Sequence, residues 1–164
     1  MAYNPGVACI QLDKTLVMKE IVKARRIEFQ GEHRNDSLLI GNHGNVEFIA
    51  NGSFNLSGMI YSKKTVEFTV IGSGLIRFTG FCRRVIIHLV KGDSVLDLSE
   101  LSSKEVCCFS LRDRSRIMIG PTKVISRANV QDEAIFNYAG SALLRSYSVV
   151  GKARIEPAES QSGA

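Results

Sequence analysis

Short runs of alternating apolar and polar residues recur along the chain about every twenty positions. The runs are "RIEFQ", "NVEFIA", "TVEFTV", "RVIIHLV", "EVCCFSL" and "VISRANV". Their leading apolar residues, separated by 19, 20, 19, 21 and 18 positions, are Ile27, Val46, Val66, Val85, Val106 and Val124. Because an alternation of period two sends successive side chains to opposite faces, each run is predicted to be a β-strand.

Short polar or glycine-containing corners follow the runs and keep the same period. The last residues of these corners, 21, 20, 21, 19 and 19 positions apart, are Ser53, Gly74, Ser94, Ser115, Ala134 and Ala153. A second apolar strand follows each corner. Two landmarks with one period indicate a structural repeat.

The glycines of "VIGSGLIRFTG" (70–80) raise the question of a phosphate-binding loop. Such a loop needs a strand followed by a helix, whose N-terminus meets the anion. The sequence after Gly74 alternates as another strand instead. We therefore interpret the stretch as a tight corner and expect no nucleotide, no other cofactor and no metal site.

The repeat predicts an all-β, single-domain parallel β-helix, or β-solenoid, of about six coils. A right-handed or irregular form is favoured, because the strict six-residue aliphatic pattern of left-handed hexapeptide solenoids is absent. A β-sandwich of short antiparallel strands is the rival fold. It does not explain why matching corners recur at every second strand.

The chain divides into three parts. Residues 1–25 are predicted to cap the first coil, either as a helix from about Asp13 or as a partial coil. Residues 26–156 form the solenoid, and residues 157–164 form a polar tail that is predicted to be disordered.

Composition and charge limit the expected location of the protein, its partners and the state of its cysteines. No signal peptide or transmembrane segment is visible in the sequence, so a cytoplasmic location is expected, or export if a leader has been removed. The net charge is +5 and permits an acidic partner. The four cysteines, which show no metal-ligand spacing and are expected to be free thiols, are Cys9, Cys82, Cys107 and Cys108.

An apolar patch is predicted on the outward face of the later coils. Ile86, Cys107 and Ile125 occupy an outward position in three successive coils, and Phe109 follows Cys107 by two residues. Because outward positions are normally polar, exposed patches of this kind usually mark a contact. These four residues are the candidates for an oligomer or partner interface.

Charged residues also cluster. Arg112, Arg114 and Arg116 form a candidate basic edge for phosphates or acidic glycans. Because no aromatic residues are interleaved with them for base stacking, a nucleic-acid partner is not expected.

Two further groups of residues are candidates for a cation-binding or an acid–base site. Glu28, Glu47 and Glu67 are predicted to share one outward position and to form a carboxylate ladder, solvated or cation-binding. His88 is predicted to lie beside Glu67, but no nucleophile accompanies the pair, so no catalytic residue is assigned.

The repeats "TVEFTVIGSGLIRFTG" and "RVIIHLVKGDSVLDLS" resemble those of two families of small bacterial β-solenoids. One is the bactofilin family, whose β-helical domain polymerises end to end without nucleotide. The other is the head-GIN, or putative auto-transporter adhesin, family of exported proteins. The resemblance extends over about residues 26–156, and this chain departs from bactofilins in its bulkier, less glycine-rich corners.

The sequence therefore favours a non-enzymatic structural protein, which self-associates into an oligomer or filament through its terminal coils or its apolar flank. The alternative is an adhesin-like binding module that recognises an acidic glycan, a membrane surface or a protein through one flat face. A polysaccharide-degrading enzyme is disfavoured, because larger β-helical enzymes need more coils and a groove lined by several carboxylates.

Overall fold

The computed structural model describes residues 9–12, 17–21, 25–42 and 44–158. All regular structure in these residues is β-strand, and no helix occurs among them. The strands are β1 (Cys9–Leu12), β2 (Val17–Ile21), β3 (Arg26–Asn42), β4 (Val46–Ser62), β5 (Thr65–Phe81), β6 (Arg84–Leu98), β7 (Leu101–Ser102), β8 (Glu105–Leu111), β9 (Arg116–Ile119), β10 (Val124–Val130), β11 (Ile135–Tyr138), β12 (Leu143–Leu144), β13 (Tyr147–Val149) and β14 (Arg154–Pro157).

Neighbouring strands are parallel, and paired residues lie about one repeat apart in the sequence. Val46 pairs with Val66, Val66 with Val85, and Val85 with Val106. One coil therefore lies on the next, in the order β1–β3–β4–β5–β6–β8–β10–β12. The predicted parallel β-solenoid of about six coils is confirmed, and the antiparallel β-sandwich is excluded.

Inward-facing residues stack into continuous columns that form the core. Each column takes one residue from each successive coil, so every apolar side chain packs on equivalents above and below. One fully or almost fully buried column consists of Val46, Val66, Val85, Val106 and Ile125. In the first coils the core is aromatic, with neighbouring ring centroids 5.2 to 6.0 Å apart among Phe29, Phe48, Phe68 and Phe78.

A column of small residues marks the predicted corner. Gly74 pairs with Ser94, and the column continues through three buried residues, Ser115, Ala134 and Ala153. At the first of these corners the prediction is one residue off, because Gly74 pairs with Phe54 and not with Ser53. Ser94 Oγ donates a hydrogen bond to the Lys91 carbonyl at 3.0 Å, which compensates its burial.

The first and last described strands continue the same architecture. The N-terminal segment is predicted from the sequence to be either a helix or a partial coil. Its described stretches, β1 and β2, are strands that pair with β3, as in a partial coil. At the other end Pro157, expected to begin the tail, is the last residue of β14. The predicted disorder of the remaining tail concerns residues 159–164, which lie outside the described residues.

Candidate functional site

The predicted apolar patch is reduced by a change of register in β10. Ile125 pairs with Val106 and Arg127 pairs with Cys107, so Ser126 is an extra residue in β10. A shift of one residue sends a side chain to the opposite face of a strand. Ile125 is therefore fully buried in the core, and the prediction that it faces outward is wrong.

The other three patch residues differ in exposure. The side chain of Cys107 is buried, that of Ile86 is half-buried, and Phe109 is 43% exposed. Ile86 and Cys107 are paired neighbours on adjacent coils, as predicted. Phe109 is thus the one exposed member of the predicted interface, whose role in oligomerisation stays a prediction.

Phe109 belongs to a series of side chains that crosses four coils, which we call the outer ladder: Glu67, His88, Phe109 and Arg127. The Nε2 atom of His88 lies 2.7 Å from Glu67 Oε1. The His88 ring stacks on Phe109 with a centroid distance of 6.0 Å and an interplanar angle of 8°. The Arg127 guanidinium carbon lies 5.5 Å from the centroid of the Phe109 ring. These polar neighbours leave Phe109 less available as an apolar contact.

The predicted carboxylate ladder is wrong in register. Glu47 pairs with Glu67, whereas Glu28 pairs with Ile49. Arg26 Nε lies 2.7 Å from Glu28 Oε1 and 3.4 Å from Glu47 Oε1. The carboxylates therefore have protein partners, and among the described residues no group of three His, Cys, Asp or Glu side chains could hold a metal ion.

The predicted basic edge carries both signs of charge. Arg112, Arg114 and Arg116 are all exposed. Arg114 Nε lies 3.0 Å from Asp93 Oδ1, so one of the three cations is paired with a carboxylate. Asp113 is exposed at the same corner. This mixture lowers the field that the edge presents to an anion.

Sequence reasoning missed a second basic line, at the return corners that connect one coil to the next. We call it the cation column: Lys64, Arg83, Lys104 and Lys123. The Arg83 backbone N–H donates to the Lys64 carbonyl at 3.0 Å, and the Lys104 N–H donates to the Arg83 carbonyl at 2.9 Å. All four side chains are exposed. The available signal was the basic residue at or beside the start of successive strand runs, at spacings of 19, 21 and 19 positions.

An exposed apolar surface lies on the last described coil, at the C-terminal side of the solenoid. Tyr147 and Val149 pair with Ala128 and Val130, two buried members of inward columns. In the last coil, however, Tyr147 is 64% and Val149 43% exposed. We call this group, with the exposed Leu143, the terminal surface.

A further exposed apolar pair lies on the side of the solenoid. Tyr61 pairs with Phe81 on the next coil, and the two are 47% and 44% exposed. The alternation of β4 and β5 places both outward, but sequence reasoning concentrated on the first strand of each coil. The pair, which we call the side pair, is a useful control for the terminal surface.

Buried ionisable groups have shifted pKa values. Burial alone would raise the pKa of Asp97, but hydrogen bonds from Ser99 and the nearby Arg77 guanidinium together lower it below its usual value. Burial raises the pKa of the Cys82 and Cys108 thiols to about 12. Cys82, Cys107 and Cys108 are free thiols, whereas the side chain of Cys9 lies outside the described residues.

Comparison of the chain with protein-family models, with curated proteins and with solved structures found no match. Within the described part of the chain, no helix has the length and apolar character needed to cross a membrane.

Proposed function

We propose that the protein is a non-enzymatic structural protein whose copies stack end to end through their terminal coils, independently of nucleotide. The observation that carries this proposal is the terminal surface. Tyr147, at 64% exposure, continues a column that is fully buried in the preceding coil at Ala128. A further coil below it would remove its apolar area from water, at roughly 25 cal/mol for each Å².

Backbone pairing supports the same arrangement. Each of β12, β13 and β14 has a strand neighbour on one side only among the described strands. At the opposite end β1 and β2 also pair on one side, with β3. Unpaired edges readily accept another strand, and parallel stacking between two copies would continue the register that already relates the coils.

The symmetry of such a contact favours filaments. The C-terminal end of one copy would meet the N-terminal end of the next, and these are different surfaces. A contact between different surfaces repeats without closing unless the rotation forms a ring. This mode of assembly is the one implied by the resemblance to bactofilins.

The terminal surface is a better supported interface than the predicted flank. Of the flank residues only Phe109 is exposed, and His88 and Arg127 already cover part of its ring. The terminal residues Tyr147 and Val149 have no coil beneath them in the described structure. The proposal therefore places self-association at the ends.

The test is sedimentation velocity over a range of protein concentrations, with negative-stain microscopy, with and without nucleotide. Assembly of the wild-type protein should rise with concentration and be unaffected by nucleotide. The double variant Tyr147→Lys/Val149→Lys should shift the assembly midpoint at least ~10-fold upward, because two charges would be buried in the contact.

The matched control is Tyr61→Lys/Phe81→Lys, which changes the side pair, also exposed and apolar. It should assemble as the wild-type protein does, and circular dichroism should show that both variants keep the β fold. A wild-type protein that stays monomeric at the highest concentration would overturn the proposal. Loss of assembly in the side variant alone would also overturn it.

A further inference from the structure

A groove of about 640 Å³ lies along the return corners, beside the cation column. It is bordered by five cationic side chains and a single carboxylate: Lys64, Arg83, Arg84, Lys104, Arg145 and Glu105. The whole chain has a net charge of +5. Five cations against one carboxylate make the lining of this groove strongly positive.

Most of these cations are not neutralised by the protein. Arg84 Nη2 lies 3.1 Å from Glu105 Oε2. In the part of the chain that the structure describes, no carboxylate lies within 4.0 Å of the cationic groups of Lys64, Arg83, Lys104 or Arg145. A concave surface lined by one sign of charge attracts ligands of the opposite sign. The predicted edge at Arg114 lacks this property, because Asp93 pairs with that side chain.

The spacing of the cations indicates the form of the ligand. Successive coils lie ~4.8 Å apart, so the cation column presents one charge per coil along the solenoid axis. A linear polymer with one anionic group per unit of similar length can match this spacing. A pyranose sugar in an extended 1,4-linked chain advances by a distance close to one coil. We propose that the groove binds a linear acidic polysaccharide that carries a carboxylate on each sugar.

The polar side chains of the described lining, and the absence of aromatic ones there, favour a sugar over a nucleic acid. Asn45 Oδ1 accepts from the Thr65 N–H, and Ser126 Oγ donates to the Val106 carbonyl. The Asn45 amino group, the Thr65 hydroxyl and the lone pairs of Ser126 Oγ can still hydrogen-bond sugar hydroxyls. No aromatic side chain lies among the described lining residues, so unpaired bases would have no stacking platform. The site lies at a corner, not on the flat face that the sequence suggested for a glycan.

The experiment measures the affinity of the full chain for polygalacturonate by isothermal titration calorimetry. It is done at low ionic strength, where exposed charges are least screened. Methyl-esterified polygalacturonate, with the same backbone but without its charges, is the ligand control. The variant Arg83→Glu/Lys104→Glu should bind the acidic polymer at least ~10-fold more weakly, because two of the four charges of the column are reversed. The same change at Arg112→Glu/Arg116→Glu should alter binding less than ~3-fold, since those side chains lie outside the groove.

Several results would overturn the inference: no binding by the wild-type protein, equal binding of the esterified polymer, or equal losses in the two double variants. Tighter binding of a single-stranded oligonucleotide at the same salt concentration would assign the groove to nucleic acid instead. If charge reversal disturbs folding, the neutral variant Arg83→Gln/Lys104→Gln keeps the test valid. Its loss of affinity, on a logarithmic scale, should be about half that of the charge-reversal variant. Binding is measured independently of assembly, so failure here leaves end-to-end stacking untouched.

Discussion

The early coils of the solenoid and the coils that contain Asp113 and Asp132 turn the same corner by different chemistry. In the first coils the strands β3, β4 and β5 each run for 17 residues and pass through the corner without interruption. In the later coils no strand after β6 exceeds 7 residues. The corner is built on glycine in the first coils and on aspartate at Asp113 and Asp132, and Gly151 supplies it again in the last described coil.

Glycine permits two backbones to touch. Gly52, Gly72 and Gly92 stack in register with φ angles of 136°, 135° and 92°. A Cβ atom at Gly72 would lie 1.9 Å from the Gly52 carbonyl oxygen. Both the positive φ and the close approach therefore exclude other residues there.

Aspartate replaces this contact with a side-chain hydrogen bond. Asp113 and Asp132 continue the column with φ angles of 60° and 64°. Asp113 Oδ2 accepts from the Gly92 N–H at 3.0 Å, and Asp132 Oδ2 accepts from the Asp113 N–H at 3.0 Å. A corner of this repeat thus requires a residue that adopts a positive φ and that makes a close contact with the backbone of the neighbouring coil. Either residue type can supply both.

The largest effect is expected for Gly72→Ala, which tests the glycine half of this comparison. The new methyl group would collide with the Gly52 carbonyl, so the free energy of unfolding should fall by ~3 kcal/mol or more. Gly31→Ala is the control, because its φ is also positive, at 85°, but among the described residues no atom beyond its chain neighbours lies within 4 Å of its Cβ position. It should cost about 1 kcal/mol from strain alone. Equal losses in urea unfolding would refute the close-approach argument.

An intermediate effect is expected at Asp97, in β6, where long strands give way to short ones. Asp97→Asn should reduce the free energy of unfolding by about 2 kcal/mol at neutral pH, because the carboxylate accepts from Arg77 and Ser99. The pKa of Asp97 is lower in the folded state than its usual value. Its contribution is therefore full above the usual aspartate pKa and disappears as the pH falls through the lower, folded-state pKa.

Urea unfolding of both proteins across an acidic pH series checks this. The difference between wild type and Asp97→Asn should shrink towards low pH. The control is Asp93→Asn, whose exposed ion pair with Arg114 should change stability by less than ~0.5 kcal/mol. A difference at Asp97 that stays constant down to the lowest pH would show that ionisation is not its source.

The smallest effect is expected when an aspartate corner is converted to a glycine corner. Asp113→Ala loses the hydrogen bond to the Gly92 N–H and keeps a strained φ, so it should cost ~1.5 kcal/mol. Asp113→Gly loses the same bond but relieves the strain, and should cost about half as much. Thermal unfolding of the two variants side by side measures the difference. A glycine variant less stable than the alanine variant would argue against the equivalence of the two corners.

The parts of the fold that follow from strict alternation could be predicted from the sequence. Val66, Val85 and Val106 share one column because the strand pattern up to each of them is regular. The fate of Ile125 could not be predicted, since an extra residue in a strand leaves no mark in an alternating pattern. The exposure of Tyr147 could not be predicted either. Its position in the repeat is an inward one, and only the lack of a further coil beneath it in the described structure leaves the side chain exposed.

The cation column was predictable in principle and was overlooked for a physical reason. Alternation describes which face of a strand a residue occupies, but Lys64 and Arg83 lie between strands. Their alignment follows from the stacking of backbones at the return corner, where the Arg83 N–H meets the Lys64 carbonyl. The repeat length fixes such alignments for connections as well as for strands.

The aromatic cluster of the first coils has a consequence for how the chain acquires its structure. Phe29, Phe48, Phe68 and Phe78 come from three successive coils, and their neighbouring ring centroids lie 5.2 to 6.0 Å apart, whereas the later coils hold Phe136 together with smaller core residues such as Ala128 and Ala134. In a one-dimensional stack folding can nucleate at any pair of neighbours and then propagate, so the most cohesive pair is favoured as the nucleus. We expect folding to nucleate at the phenylalanines and to spread towards the C-terminus. The last coil would then be the final part to form and the first to open.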